Sequence, residues 1–374
     1  MAIKTLLEGN NAEEYEKERS ILEKLGQYDN PNLIKLYATY RWEDHYHFIF
    51  PCAKGNLRNF WEMRNDPSSV KDAYLWSLNQ MYGLASALKL IHNFKTTIDL
   101  KPRGGTLVTE DSKLEVVPGE EKFGRHGDIK PENILWFKEA DGSSVLRITD
   151  FGLGRFHGRD SRSNIDPKTV NATPTYEPPE CKLSKPVSRA YDIWSLACLY
   201  LEFITWLLEG NNAIHKFADA RGIKDTTLFI DGKEYTIIRD RFINDDNFFT
   251  IIRDESLQTK AVIRDAVLEW VERLRMHERC SDMLHDLLDL VMKHLLRPNS
   301  EERIRSTNSK NRMGTILDKA KSNHNYLHKP NPRAPPSSVS PPSTTSTRRL
   351  PRKGVRFTET WPSKHSPPSP TSAI

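Results

Sequence analysis

Ten residues, His126-Gly127-Asp128-Ile129-Lys130-Pro131-Glu132-Asn133-Ile134-Leu135, constrain this chain more than any other feature. An acid, a cation and an amide stand within a few positions of one another, just before an apolar stretch that reads as a strand. That grouping suits phosphoryl transfer. A carboxylate accepts the proton of an attacking hydroxyl, a lysine neutralises charge on the moving phosphoryl group, and an amide oxygen binds magnesium. Downstream, Arg147-Ile148-Thr149-Asp150-Phe151-Gly152 offers a second carboxylate at the end of a strand and before a glycine. A metal-binding acid that must approach a triphosphate closely would sit there.

The rest of the chain reads as a small strand-rich part followed by a larger helical one, an α+β arrangement. Met1 to Leu7 reads as a strand, Glu13 to Leu25 as a surface-packed helix, and Leu33 to Tyr40 and Tyr46 to Phe50 as strands, with a turn at Asn30-Pro31-Asn32. Ala73 to His92, Asp192 to Leu208, Lys260 to Met276 and Asp282 to Leu296 carry apolar residues at helical spacing, and there is no internal repeat. Lys95 to Arg125 is polar and Gly-containing, long enough to be an inserted excursion. Lys329 to Ile374 is rich in Pro, Ser, Thr and Arg with few aliphatic residues, so it buries too little surface to offset the entropy of ordering and reads as disordered. The domain reading is therefore 1–53, then 54–320 with its insert at 95–125, then a tail over 329–374.

Charge is informative through its location. The chain carries a net +5, yet from His328 onward eight basic residues face one acid, Glu359, which leaves the preceding body slightly acidic. The basic character thus belongs to the tail, and neither a nucleic-acid nor a membrane partner is expected. Cys52, Cys181, Cys198 and Cys280 show no CxxC spacing, which excludes a zinc knuckle and fits a reducing, intracellular compartment, cytoplasmic or nuclear. The N-terminus lacks the pattern of a signal peptide. The most apolar run, Ile193 to Leu208, is shorter than the roughly 20 residues of a membrane span. It also contains Glu202 and reads as a buried core helix.

Together these segments resemble the catalytic loop and the Asp-Phe-Gly motif of eukaryotic-type protein kinases, serine/threonine type, and are similar in style to fungal protein kinase domain proteins. The likeness continues in order. Ala172-Thr173-Pro174-Thr175-Tyr176-Glu177-Pro178-Pro179-Glu180 resembles the end of the activation segment, and Asp192-Ile193-Trp194 the start of the central helix, whose Asp braces the catalytic loop. Arg303 stands where the family places the partner of Glu180. Ala2-Ile3-Lys4 resembles the third strand, and Glu18 the helical partner of its Lys. Read singly, each piece has a plainer explanation: an ordinary turn, any strand, a solvated Glu18, a Cys52 that merely fills space. Five motifs in order do not.

The resemblance implies a two-lobed fold with an incomplete small lobe that lacks its first two strands. It implies ATP and Mg2+ as cofactors and a protein substrate. Asp128 would be the base, Lys130 the phosphate stabiliser, and Asn133 and Asp150 the metal ligands, with Thr173 placed to bond to Lys130. Lys4, Glu18, Cys52, Leu135 and Asp150 would hold the nucleotide, with Ile49 and the Phe50-Pro51-Cys52-Ala53 stretch where the adenine-binding hinge falls. Leu22, Leu36, His126 and Phe151 would stack into an apolar spine. Ser340-Pro341, Ser366-Pro367 and Ser369-Pro370 in the tail suit a proline-directed kinase.

Two departures matter. Gly127 replaces the Arg that many kinases place before the catalytic Asp, so activity is expected not to depend on a phosphate at Ser161, Ser163 or Thr169. Only three residues precede Lys4, so the glycine-rich hairpin over ATP is missing from this sequence, and an N-terminal truncation with weak ATP binding is expected. Two competing readings remain: a catalytically impaired kinase or pseudokinase scaffold, and a small-molecule phosphotransferase, whose loop shares the His-Gly-Asp run but usually carries His where Lys130 stands.

Overall fold

Aromatic and β-branched residues, which suit a pleated half-buried surface, build the first sheet. Strands β1 (Ala2–Leu6), β2 (Ala38–Trp42) and β3 (His45–Phe50) pair antiparallel in the order β1-β3-β2. Helix α1 (Asn11–Gly26) lies on this sheet through its apolar stripe, with Tyr15, Ile21, Leu22 and Leu25 all buried. Tyr15 stacks on Tyr46 at 4.3 Å, and its hydroxyl donates to Thr39 at 2.7 Å. The computed structural model describes residues 1–6, 11–67, 72–93, 124–150, 175–222, 227–230, 233–238, 246–253 and 257–334. The chain divides into units Met1–Pro335 and Pro336–Ile374, and every described residue belongs to the first.

A second sheet carries the loop of interest. Strands β4 (Gly55–Asn56), β5 (Ile134–Lys138) and β6 (Ser144–Ile148) pair antiparallel in that order. The expected strand over Leu33 to Tyr40 begins only at Ala38, because residues 32–34 are bound elsewhere. Ile34 N–H donates to Ile148 O at 3.0 Å and Ile148 N–H donates to Asn32 O at 2.8 Å. These bonds fasten the first sheet's connection to β6.

Helices α2 (Leu57–Met63) and α3 (Ala73–Asn93) follow β4. Within α3, Gly83 answers a close approach: a Cβ there would stand 2.1 Å from Asn32 Oδ1. Asn32 uses its amide to donate to Leu146 O at 2.7 Å, so the glycine lets α3 press against the 30–34 segment. Helix α4 (Pro179–Lys182) leads into α5 (Ala190–Glu209), which is buried on all sides and forms the centre of the core. Among the described residues α5 is the one helix long and apolar enough to cross a membrane, and nearly all of it is buried inside the protein. It extends past the apolar run read from sequence, and its burial accounts for that composition.

Beyond α5 the structure departs from the helical expectation. Helix α6 (Asn211–Arg221) leads to an antiparallel sheet of β7 (Thr227–Ile230), β8 (Lys233–Ile238), β9 (Phe249–Arg253) and β10 (Thr259–Ile263). The helix expected over Lys260 to Met276 is therefore wrong in its first turn. Residues 260–263 pair with β9, Lys260 opposite Ile252, and helix α7 (Asp265–Met276) starts after Arg264. The i,i+4 spacing of Ile263 and Val267 fits a helix, but an available strand edge satisfies the backbone of 260–263 instead. Helix α8 (Asp282–Leu290) continues as a π turn over Val291–Leu295. Helices α9 (Ser306–Ser322), packed on α3, and α10 (His324–His328) complete the unit.

Residues 329–334, which composition assigns to the head of the tail, are bonded to this unit. Asn331 N–H donates to Cys280 O at 2.7 Å and Arg333 N–H to Arg275 O at 2.9 Å. Composition registers only the scarcity of apolar side chains there, whereas backbone groups and the polar side chains of Asn331 and Arg333, both on Asp282, supply the contacts. The rest of the expected tail and most of the 95–125 insert lie outside the described residues.

Candidate active site

The polar loop between α3 and β5 is held by a carboxylate from another part of the chain. Asp192, in the first turn of α5 and fully buried, accepts the His126 N–H at 2.8 Å and the Gly127 N–H at 2.7 Å. His92, at the end of α3, donates from Nε2 to the same carboxylate at 2.8 Å. Burial alone would raise the Asp192 pKa, but these donors outweigh it and hold the carboxyl below its ordinary value. Gly127 sits at φ +77°, a left-handed conformation that a side chain would strain.

His126 ties the loop to the end of β6. Its Nδ1 accepts the Asp128 N–H at 3.2 Å, so its Nε2 carries the proton and donates to Thr149 O at 2.9 Å. The neighbouring residue, Asp150, adopts φ +56°, a left-handed conformation in which Asp is among the less disfavoured side chains. Thr149 N–H donates to Asn133 O at 3.0 Å, which sets Asn133 beside the approach to Asp150.

Asp128, Lys130 and Asn133 converge. Asn133 Nδ2 donates to Asp128 O at 2.8 Å and to Asp128 Oδ2 at 2.7 Å. Lys130 Nζ lies 3.0 Å from the same Oδ2. One carboxylate oxygen is thus gripped by an amide and an ammonium, which fixes the rotation of the Asp128 side chain. With both amide hydrogens donated, Asn133 has its amide oxygen left to offer a cation.

Lys4 joins the two sheets electrostatically. It donates to Glu18 on α1 at 2.7 Å and lies 3.4 Å from Asp150 Oδ1. Burial lowers the Lys4 pKa, but Glu18 and Asp150 outweigh it and raise the ammonium above its ordinary value. Leu135 lies on β5, partly buried, paired with Asn56 on β4 and Arg147 on β6. Cys52 is exposed after β3, its thiol donating to Ala53 O at 3.7 Å, so it fills no apolar space. Leu22 and His126 are buried and Leu36 partly so, while Phe151 and Thr173 lie outside the described residues.

Two further ion pairs frame the site. Arg303 meets Glu180 through two parallel bonds, 2.7 and 2.8 Å, with both side chains buried. Arg58 on α2 donates to Glu132 at 2.7 Å and to the Tyr176 hydroxyl at 2.9 Å, and that hydroxyl donates to Glu202 at 2.6 Å. Burial pushes the Tyr176 pKa well up, so the phenol keeps its proton. Sequence reading missed His92 and Arg58, because neither lies near its partner along the chain and no periodicity marks them.

A sequence model of the protein kinase domain matches residues 121–311, just over half of the chain. The chain belongs to the protein kinase family. Among this kinase's curated relatives, Serine/threonine-protein kinase PKH3 of Eremothecium gossypii is 25% identical over 205 residues, which is 54% of this chain and 23% of the relative. Mitogen-activated protein kinase 13 of Oryza sativa subsp. indica is 38% identical over 95 residues, covering 24% of this chain and 18% of the relative. Serine/threonine-protein kinase H2 of Homo sapiens is 37% identical over 83 residues, covering 22% and 21%. The kinase chain thus spans under a quarter of the length of each of these relatives. The more identical matches are the shorter ones, 95 and 83 residues against 205.

Proposed function

We propose that this chain transfers a phosphoryl group from ATP, with magnesium, to serine or threonine hydroxyls of a protein. The observation that carries the reading is the convergence of Asn133 and Lys130 on Asp128 Oδ2, in a loop whose backbone is fastened to Asp192. A base held at a fixed rotation can meet a hydroxyl in line, and such positioning supplies much of the catalysis in this reaction class.

The donor set suits a cation shared with phosphates. No cluster of three His, Cys, Asp or Glu exists among the described residues. Asp150 and the Asn133 amide oxygen offer one carboxylate and one neutral oxygen, and magnesium is commonly held by one or two carboxylates together with substrate phosphates. When bound, the nucleotide and its cation supply the transferable group and neutralise its charge. Asn133 and Asp150 would hold the cation, and Lys4, kept protonated by Glu18, would hold phosphate oxygens. Residues 50–53 and Leu135 would line the adenine side. Asp128 would take the hydroxyl proton while Lys130, beside it, stabilises the developing negative charge. We also read 1–53 as the nucleotide-side lobe, 54–320 as the peptide-side lobe, and the tail's Ser-Pro pairs as candidate phosphorylation sites.

The test is magnesium-dependent transfer of labelled γ-phosphate to a Ser/Thr peptide library by the full chain. Asp128→Asn is expected to lower turnover by about 10²–10⁴-fold. Full activity in Asp128→Asn, or labelling of amino alcohols instead of peptides, would overturn the reading.

A further inference from the structure

Arg221, the last residue of α6, is a charge that phosphoryl transfer does not use and that the fold buries completely. Its Nε donates to Asp246 O at 2.9 Å, and its Nη2 donates to Glu202 Oε1 at 3.3 Å and lies 3.7 Å from Asp246 Oδ2. The guanidinium also lies 4.2 Å from the Phe217 ring centre and 4.1 Å from that of Phe248. Its Nη1 has no hydrogen-bond partner among the described residues. Burying such a cation costs several kcal/mol per ion unless pairing offsets it. A hydrocarbon side chain could fill the same volume without that desolvation, so packing alone does not account for the charge.

What it orients is the turn at Thr175 and Tyr176. Asp246 accepts the Thr175 hydroxyl, and Glu202 accepts the Tyr176 hydroxyl at 2.6 Å. Further along the same segment, Lys182 on α4 donates to Asn247 Oδ1 at 3.1 Å and places its ammonium 5.6 Å from the Phe249 ring centre. Phe249 in turn meets Trp194 of α5 edge-on at 5.7 Å. Residues of the α6–β9 excursion therefore reach the segment between Thr175 and Lys182 at both ends.

We infer that the end of α6 and residues 246–249 form a clamp on the peptide-docking segment, with Arg221 and Asp246 as its positioning residues. Arg221 orients the carboxylates of Glu202 and Asp246, and those carboxylates fix Tyr176 and Thr175. The inference rests on the kinase reading, because that reading makes this segment the place where an acceptor peptide lies.

Arg221→Met, Arg221→Lys and Asp246→Asn in the full chain test it. Asp246 is partly exposed, so Asp246→Asn is the variant that keeps the fold if Arg221→Met does not. Peptide KM is expected to rise on the order of tenfold in Asp246→Asn and Arg221→Met, since small misplacements of a docking element weigh heavily on transfer. ATP KM should stay within about twofold, and Arg221→Lys should recover part of the loss. Amide exchange over 175–183 should quicken on the order of tenfold while α5 stays protected. Unchanged exchange over 175–183 in Asp246→Asn, or equal losses in peptide and ATP KM, would overturn the clamp. If the parent chain labels no peptide, the kinase reading fails by itself. The exchange measurement then decides the clamp alone, supported by faster exchange confined to 175–183 and overturned by none.

Discussion

Replacing Asp192 by Ala should be among the most damaging single changes outside the apolar core. Its carboxylate is fully buried and accepts three bonds, from the N–H groups of His126 and Gly127 and from the His92 imidazole. Each buried donor left without an acceptor costs about 1–3 kcal/mol. Two amides and a ring nitrogen, partly relieved by water entering the vacated space, come to about 3–6 kcal/mol. That is a large share of the roughly 5–15 kcal/mol that holds an ordinary domain together. At a urea slope of about 2 kcal/mol per M, the midpoint should fall by roughly 1.5–3 M. Asp192→Asn retains one acceptor oxygen and should lose about half as much. The assay is urea unfolding followed by far-UV circular dichroism, with tryptophan fluorescence as a second probe. An Asp192→Ala protein within about 1 kcal/mol of the parent would show that the loop does not depend on this carboxylate, and the account of how Asp128 is positioned would fall with it.

Arg303→Met leaves the Glu180 carboxylate buried and unpaired, and denaturant unfolding should report a loss of about 3–5 kcal/mol; a loss below about 1 kcal/mol would contradict the buried pairing. Gly127→Ala meets no steric obstacle but must adopt a positive φ, so a cost of about 1–2 kcal/mol is expected by thermal unfolding, and a neutral or stabilising result would show that the loop is not held in that conformation. The Asp192 carboxyl titrates below its ordinary 3.8 in the folded state. Its contribution is therefore complete above that value and disappears as pH falls through the folded pKa. Asp192→Asn should flatten the acid side of the stability profile; a slope identical to the parent's would place the titration elsewhere.

Much of the candidate site was legible in the residues because the proposed phosphoryl transfer needs particular groups close together, and Asp128, Lys130 and Asn133 lie within one short loop. Contacts that span the chain were legible only through family resemblance: Lys4 with Glu18, Arg303 with Glu180, and Asp192 with the loop amides. Periodicity carried α1, α3 and α8, whose buried stripes repeat along one element, and a continuous apolar run carried α5, which is buried on all sides. It failed at Lys260 to Ile263, where apolar spacing suits a helix and the edge of β9 took the segment as a strand.

By itself, then, the sequence determined the chemistry-bearing loop, the acid before Phe151, the central apolar helix and the polar character of the tail. These are properties of neighbours along the chain. Tertiary structure alone decided that His92 shares Asp192 with the loop, that Arg58 bridges Glu132 and Tyr176, and that Arg221 is buried between two carboxylates and two aromatic rings. Phe217 apart, which is a neighbour of Arg221 on the same helix, these contacts join groups from separate elements, and only the folded backbone brings their charges within a few ångströms and removes the water between them.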